Sequence, residues 1–313
     1  MQINALIVVE KVAMLFLAMV FGIYARLRGF VDDAGTKTLS KILVNVTSPL
    51  LIVSSFQLDF DPRLLSDGLF ILLGSVIIHV AVTFLGVLLF KWQKEPEKNK
   101  ILRFALIFGN CAFLGYPVLN VIFGEGVGVF YGAFYTLMFN VYIWTYGITM
   151  LQKGKENAEK PSIRKILLNA GTIASAIGMI LFLTGTKLPS FVGGAVDLVG
   201  NMTFPLSMII IGSLVATLDI KKILTNKSVY VFCAFKLILL PLIVIGFSKL
   251  LSLPPVLAYM FITMCAVPSA TNSAIFAELY DCDSKLAAQC VGVSTVFSMA
   301  TLPAMIWLAG IIL

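Results

Sequence analysis

Charged side chains are scarce in this sequence. Of its 313 residues only 12% are Asp, Glu, Lys or Arg, whereas 59% are hydrophobic. An average soluble domain carries about 25% charged residues, so this composition excludes a soluble domain with an ordinary charged surface. Histidine occurs once, which leaves little material for histidine-based metal or proton chemistry. The composition predicts an all-α polytopic membrane protein.

The signatures of common enzyme and metal sites are also missing. The five cysteines show no CxxC spacing, and the chain contains no HExxH pair, no GxSxG elbow, no intramembrane aspartate pair and no GxxxxGK[ST] loop. We therefore expect no enzymatic activity, no metal site and no cofactor. An intramembrane enzyme remains only as a remote alternative.

The net charge of +7 does not indicate nucleic-acid binding, because no basic domain exists to hold a nucleic acid. Lysine and arginine instead report orientation, since they concentrate in cytoplasmic connections. Most of the 23 basic residues fall on one side of the predicted spans, and only Arg63, Lys187 and Lys249 fall on the other. The sequence predicts a multi-pass protein of the plasma (inner) membrane with both termini outside the cytoplasm.

A transmembrane helix needs about 20 mostly apolar residues, and ten stretches qualify. Glu10 and Lys11 interrupt the first, which favours a membrane span over a cleaved signal peptide. The predicted spans are 3–25, 38–56, 67–90, 101–123, 127–150, 166–186, 191–217, 228–250, 256–280 and 285–312. A charged linker, 151–165, separates five spans in 1–150 from five in 166–313.

The two halves share a short string. "NVTSPL" (Asn45–Leu50) lies in the second span and "NMTFPL" (Asn201–Leu206) in the seventh. Each half holds an odd number of spans, so the second copy enters the membrane from the opposite side. The sequence thus predicts a 5+5 inverted repeat, an architecture typical of transporters.

The fourth and ninth spans contain residues that interrupt helices. Gly109, Gly115 and Pro117 fall close together in the fourth span, and Pro268 precedes several hydroxyl and amide side chains in the ninth. Interior proline removes a helical hydrogen bond, and unwound backbone at membrane depth is tolerated only inside protein or beside a cavity. We therefore expect two broken helices that meet at a polar cavity, where their N-termini favour an organic anion.

The strings "GNCAFLGYP", "AVPSATNSAIFAELY" and "SPLLIVSSF" resemble the auxin efflux carrier family, whose fold is that of the bile acid, arsenite and riboflavin transporter superfamily. The resemblance extends over essentially the whole chain. It implies broken crossover helices at spans 4 and 9, a scaffold of spans 1, 2, 6 and 7, a moving transport domain of spans 3–5 and 8–10, and a homodimer in the lipid bilayer.

The resemblance also implies site residues. Asn110 resembles the crossover asparagine that contacts substrate, Pro268 resembles the second crossover proline, and Asn140 and Asp67 resemble a polar residue and a titrating acid near the site. The residues expected to bind substrate are Asn110, Asn140, Pro117, Pro268, Ser269, Asn272, Thr47 and Ser48. Those expected to serve proton or charge coupling are Asp67, Lys236 and Glu278.

Several readings of these polar residues stay open. Ser66 and Asp67 could simply cap the third span. Lys236 could pair with a substrate carboxylate or with a buried acid such as Glu278, or it could extend to the membrane interface. The sequence has Gly109 where plant carriers have proline, and it lacks their long cytoplasmic loop. It resembles the bacterial branch, which is associated with small dicarboxylates such as malate or malonate. Export or proton-linked exchange of such an anion is expected, and a sodium-coupled symporter of the bile-acid type is the alternative.

Overall fold

A computed structural model describes residues 5–124, 126–155, 163–217 and 226–313. Part of the predicted linker therefore lies outside the described residues. Twelve helices account for most of the described chain: α1 Ala5–Leu27, α2 Asp33–Ser55, α3 Pro62–Leu89, α4 Pro96–Ile107, α5 Cys111–Phe123, α6 Val127–Gln152, α7 Ala170–Thr184, α8 Ser190–Val215, α9 Lys227–Leu250, α10 Pro255–Ala266, α11 Asn272–Leu279 and α12 Ser284–Ile312. One further helical turn, Ile163–Leu167, precedes α7.

The described residues form no β-strand, and the structure is all-helical. Six helices, α2, α3, α6, α8, α9 and α12, are long and apolar enough to cross a membrane. The shorter apolar helices α5, α7 and α10 lie beside them. Together with the composition, these helices establish a multi-pass membrane protein.

Several helices begin where the sequence supplies capping chemistry. Asp61 is the N-cap of α3, its Oδ1 accepts a hydrogen bond from the Arg63 N–H at 2.8 Å, and Pro62 follows as the first helical residue. The alternative that Ser66 and Asp67 cap this helix is therefore wrong. The helix begins earlier because Asp61 and Pro62 together form a stronger start signal.

Two glycines allow α1 and α8 to approach at backbone distance. A Cβ built on Gly22 would lie 2.3 Å from the Ile209 carbonyl oxygen, and one on Gly212 would lie 2.1 Å from that of Met19. Small residues permit such close crossings between membrane helices. Besides α8, α1 also packs on α12, and α2 packs on both α7 and α8.

The remaining helices pack mainly with one another. α3 packs against α4, α6 and α10, and α12 packs against α9, α10 and α11. A large group of buried apolar side chains, which includes Phe104, Phe130 and Phe232, fills the space among them. The interrupted pairs α4–α5 and α10–α11 run through the centre of this arrangement.

Candidate functional site at the helix crossing

The two interruptions predicted from the sequence are present, and they contact each other. α4 ends at Ile107 and α5 begins at Cys111, while α10 ends at Ala266 and α11 begins at Asn272. The two unwound segments pair as an antiparallel bridge between Gly109 and Ser269. We call this pair of segments, 108–110 and 267–271, the crossing.

Backbone groups freed by one break are satisfied by the other. The Asn110 N–H donates to the Pro268 carbonyl at 2.8 Å, and the Ala270 N–H donates to the Phe108 carbonyl at 2.9 Å. Such pairing removes the penalty of several kcal/mol for an unsatisfied polar group in an apolar medium. The crossing is therefore a bonded structural unit.

Glycine is required at position 109 because the second segment passes so closely. A Cβ on Gly109 would lie 2.8 Å from Cγ2 of Val267, which is closer than Cβ atoms approach other heavy atoms in real structures. Gly115, by contrast, packs against α10, because a Cβ there would lie 3.1 Å from the Met264 sulfur. Gly115 serves helix packing and does not line the cavity described next.

A cavity of about 120 Å³ opens beside the crossing. Residues of α2 and α7 line one side, and residues of α5, α6 and the second segment line the other. No Asp, Glu, Lys, Arg or His stands among these lining residues, all of which are described. The polar side chains in the lining are those of Ser48, Asn110, Tyr116, Thr136, Asn140, Asn169, Thr271 and Asn272.

Asn110 combines a structural bond with a free donor. It is the N-cap of α5, and its Oδ1 accepts a hydrogen bond from the Phe113 N–H at 3.3 Å. Its side-chain nitrogen Nδ2 is buried and has no hydrogen-bond partner among the described residues. A buried polar group without a partner calls for an explanation, and Asn110 is one of the residues that line the cavity.

Four of the eight residues expected to bind substrate line this cavity: Ser48, Asn110, Asn140 and Asn272. The others lie outside its lining. The Ser269 hydroxyl bonds the Ser273 hydroxyl at 3.2 Å, and the Thr47 hydroxyl donates to the Leu43 carbonyl at 3.4 Å. Pro117 lies within α5, and Pro268 contributes its carbonyl to the crossing.

None of the three residues expected to serve charge coupling lines the cavity. The Asp67 carboxylate accepts a hydrogen bond from the Tyr131 hydroxyl at 3.1 Å. Glu278 is exposed, while Lys236 is 2% exposed and donates from Nζ to the Leu106 carbonyl at 3.0 Å. Two of the readings of Lys236 are therefore wrong: it neither pairs with Glu278 nor reaches the membrane interface.

The set of substrate-binding residues predicted from the sequence lacked four polar residues of the lining: Tyr116, Thr136, Asn169 and Thr271. The Thr136 and Tyr116 hydroxyls bond each other at 2.7 Å, and Asn169 caps α7 by accepting from the Gly171 N–H at 2.9 Å. An asparagine directly before an apolar run is a helix-start signal, so Asn169 was recognisable as a cap. Its position beside Asn140, however, depends on how α7 packs against α2 and α6.

Comparison with known proteins agrees with this architecture. The family model described as membrane transport protein matches residues 7–306. An uncharacterized transporter of Methanothermobacter thermautotrophicus is 26% identical, with 94% of this chain and 96% of the relative aligned. An uncharacterized transporter of Methanocaldococcus jannaschii is 23% identical over 97% and 99% of the two chains. The uncharacterized Escherichia coli transporter YfdV is 21% identical over 94% and 95%.

These matches run through both breaks and both halves of the sequence. The resemblance inferred from the crossing motifs is thereby confirmed. The chain belongs to the membrane transport protein family, which is the family of the auxin efflux carriers.

Proposed function

We propose that this protein is a secondary transporter that binds a small organic anion in the cavity beside the crossing. The observation that carries the proposal is the meeting of two interrupted helices at a polar cavity, with the free Nδ2 donor of Asn110 in its wall. Membership in a transport family supports movement of a solute and argues against an intramembrane enzyme.

A carboxylate suits the chemistry of the lining. α5 and α11 begin at the cavity, and a helix N-terminus stabilises a negative charge by about 0.3–1 kcal/mol, or up to about 2 kcal/mol when partly buried. The amides of Asn140 and Asn272 add neutral donors. Because the cavity holds about 120 Å³, compared with roughly 300–1,000 Å³ for drug-sized sites, a malate- or malonate-like dicarboxylate fits better than an auxin-like ring.

The proposed architecture is ten spans in a 5+5 inverted repeat, with α4–α5 and α10–α11 as the broken crossover spans. Support comes from the matched strings at 45–50 and 201–206 and from the equivalent positions of the two breaks. The distribution of lysine and arginine supports a plasma-membrane location with both termini outside the cytoplasm.

An elevator-type mechanism follows from the position of the cavity between two groups of helices. α1, α2, α7 and α8 pack together as the proposed scaffold, whereas the crossover spans pack with α3, α6, α9 and α12 as the proposed transport domain. Cavity residues come from both groups. A shift of the transport domain against the scaffold would expose the bound anion to alternate sides, and we propose that two scaffolds associate in a homodimer.

The membrane potential supplies a driving force for export. Moving one negative charge out of a cell held at about 100 mV, interior negative, releases about 2.3 kcal/mol. Export of the anion therefore needs no coupling ion. Accumulation of the anion inside the cell requires one, and we propose a proton for this role. A sodium-coupled cycle is less favoured, because no carboxylate lines the cavity and the Ser269 hydroxyl is already bonded to Ser273.

Counterflow in proteoliposomes tests this function. Vesicles loaded with unlabelled malonate are expected to take up labelled malonate without any sodium gradient, and an inside-positive potential is expected to accelerate net uptake. Empty liposomes and vesicles loaded with a neutral sugar are the controls. Uptake that requires sodium and ignores both voltage and pH would contradict the proposal.

A further inference from the structure

Lys236 is a buried lysine with no acidic partner among the described residues. It lies midway along α9, is 2% exposed, and donates from Nζ to the Leu106 carbonyl at 3.0 Å. None of the salt bridges formed within the described part of the chain includes it. An ammonium group at membrane depth costs at least about 2.5–3.5 kcal/mol, so its retention here requires a compensating interaction.

The C-terminal end of the first broken helix, α4, provides that interaction. Leu106 belongs to the last turn of α4, and a Cβ built on Gly109 would lie 3.2 Å from Nζ of Lys236 and 3.5 Å from the carbonyl oxygen of Met264, in the last turn of α10. Each helix C-terminus carries about half a negative charge. The ammonium group is thus hydrogen-bonded at the negative C-terminus of α4, and Gly109 lies close to both this group and the C-terminus of α10.

The backbone around Lys236 is adapted to this position. Residues Phe235–Leu239 form a π-helical turn within α9, a distortion that often occurs at functional positions. On the facing segment, glycine at position 109 leaves room for the ammonium group, because a larger side chain there would contact it.

Lys236 is separated from the cavity by the backbone of Gly109. Gly109 lines the cavity, whereas Lys236 does not. Since every lining side chain is uncharged, the cavity owes none of its electrostatic preference to a lining charge. A unit charge in the protein interior still acts on an ion several ångströms away, because the effective dielectric constant there is well below that of water.

We propose that Lys236 determines the charge selectivity of the cavity: its ammonium group, held next to Gly109 by the C-terminus of α4, provides a positive potential that favours anions without contacting them. The proposal rests on the proposed transport of organic anions. It assigns the preference for negative charge to a residue outside the cavity wall, and leaves shape and hydrogen bonding to the asparagines.

The test is a ratio of affinities measured on purified protein. Malonate and malonamate have nearly the same shape and differ by one negative charge, so the ratio of their dissociation constants reports charge selectivity. In Lys236→Gln, which keeps a hydrogen-bond donor, and in Lys236→Met, which does not, the preference for malonate is expected to fall about tenfold. Lys236→Arg is expected to retain the wild-type ratio.

Lys249→Gln is the matched control, because Lys249 is exposed near the end of the same helix and its replacement changes the net charge equally. A misfolded fraction reduces the number of binding sites but leaves the ratio of dissociation constants unchanged. If either Lys236→Gln or Lys236→Met fails to fold, the other variant still gives the ratio. An unchanged ratio in either folded neutral variant overturns the role of Lys236 and leaves the proposed function intact. Failure of the wild type to bind malonate or malonamate counts instead against the proposed function.

Discussion

Asn110→Asp is expected to abolish anion transport while the protein stays folded. Aspartate caps a helix as well as asparagine does, so the bond from the Phe113 N–H to the side-chain oxygen is retained. The substitution removes the Nδ2 donor and places a negative charge in the cavity wall. Juxtaposed like charges cost several kcal/mol, and about 2.7 kcal/mol corresponds to 100-fold in rate. Malonate counterflow should therefore drop at least about 100-fold.

Asn45→Asp is the matched control for this prediction. Asn45 is exposed on α2 and donates to the Lys41 carbonyl at 2.9 Å, outside the cavity lining. Asn45→Asp introduces the same charge in another membrane helix, and transport should stay within about threefold of wild type because the added charge lies outside the cavity lining. If Asn110→Asp melts with wild-type cooperativity and still transports malonate at a rate similar to that of the wild type, Asn110 is not part of the substrate-binding site.

Gly212→Ala is expected to destabilise the protein by about 3 kcal/mol or more. The added methyl group would lie 2.1 Å from the Met19 carbonyl oxygen and 2.9 Å from Cα of Gly22, so backbone must move to accept it. Overpacking a rigid site typically destabilises a protein by about 1–3 kcal/mol. Because the obstacle here is backbone, we expect a cost at the upper end of this range or above it. The measurement is thermal unfolding of detergent-solubilised protein, in which a markedly lower melting temperature is expected.

Gly194→Ala, on the same helix α8, provides the comparison. A Cβ on Gly194 would meet no atom within 4 Å, and alanine is favoured over glycine in a helix by up to about 1 kcal/mol. This variant should melt at or slightly above the wild-type temperature. If Gly212→Ala and Gly194→Ala melted alike, α1 and α8 would not be in backbone contact.

Local sequence signals located the two breaks in part: Gly109 and Pro268 lie at them, whereas Gly115 and Pro117, which were also expected to interrupt the fourth span, lie inside α5. Pro268, Gly109 and the hydroxyl and amide residues after Pro268 disfavour a continuous helix at any depth, whatever surrounds them. Asn110 was identified from the same local string through its resemblance to a known family. Local backbone chemistry therefore predicted which spans are interrupted, but not the exact position of the first interruption.

The partners across the structure could not be obtained in this way. Lys236 and Leu106 are far apart in the sequence, and only the packing of α9 against the crossing brings Nζ to the Leu106 carbonyl. Similarly, nothing in the sequence distinguishes Gly22 and Gly212 from other glycines of membrane helices. Only the structure shows that α1 and α8 are in backbone contact at these two positions. Asn169 could not be assigned to the cavity from the sequence, because a helix N-cap position does not indicate which cavity the side chain borders.

A density map of the protein with malonate bound tests the central claim most directly. Our account predicts malonate beside the crossing, with a carboxylate oxygen within hydrogen-bond distance of Nδ2 of Asn110 and with α5 and α11 both beginning at the ligand. Malonate bound elsewhere, or a crossing in which Gly109 and Ser269 no longer pair and the helices run continuously, would contradict it.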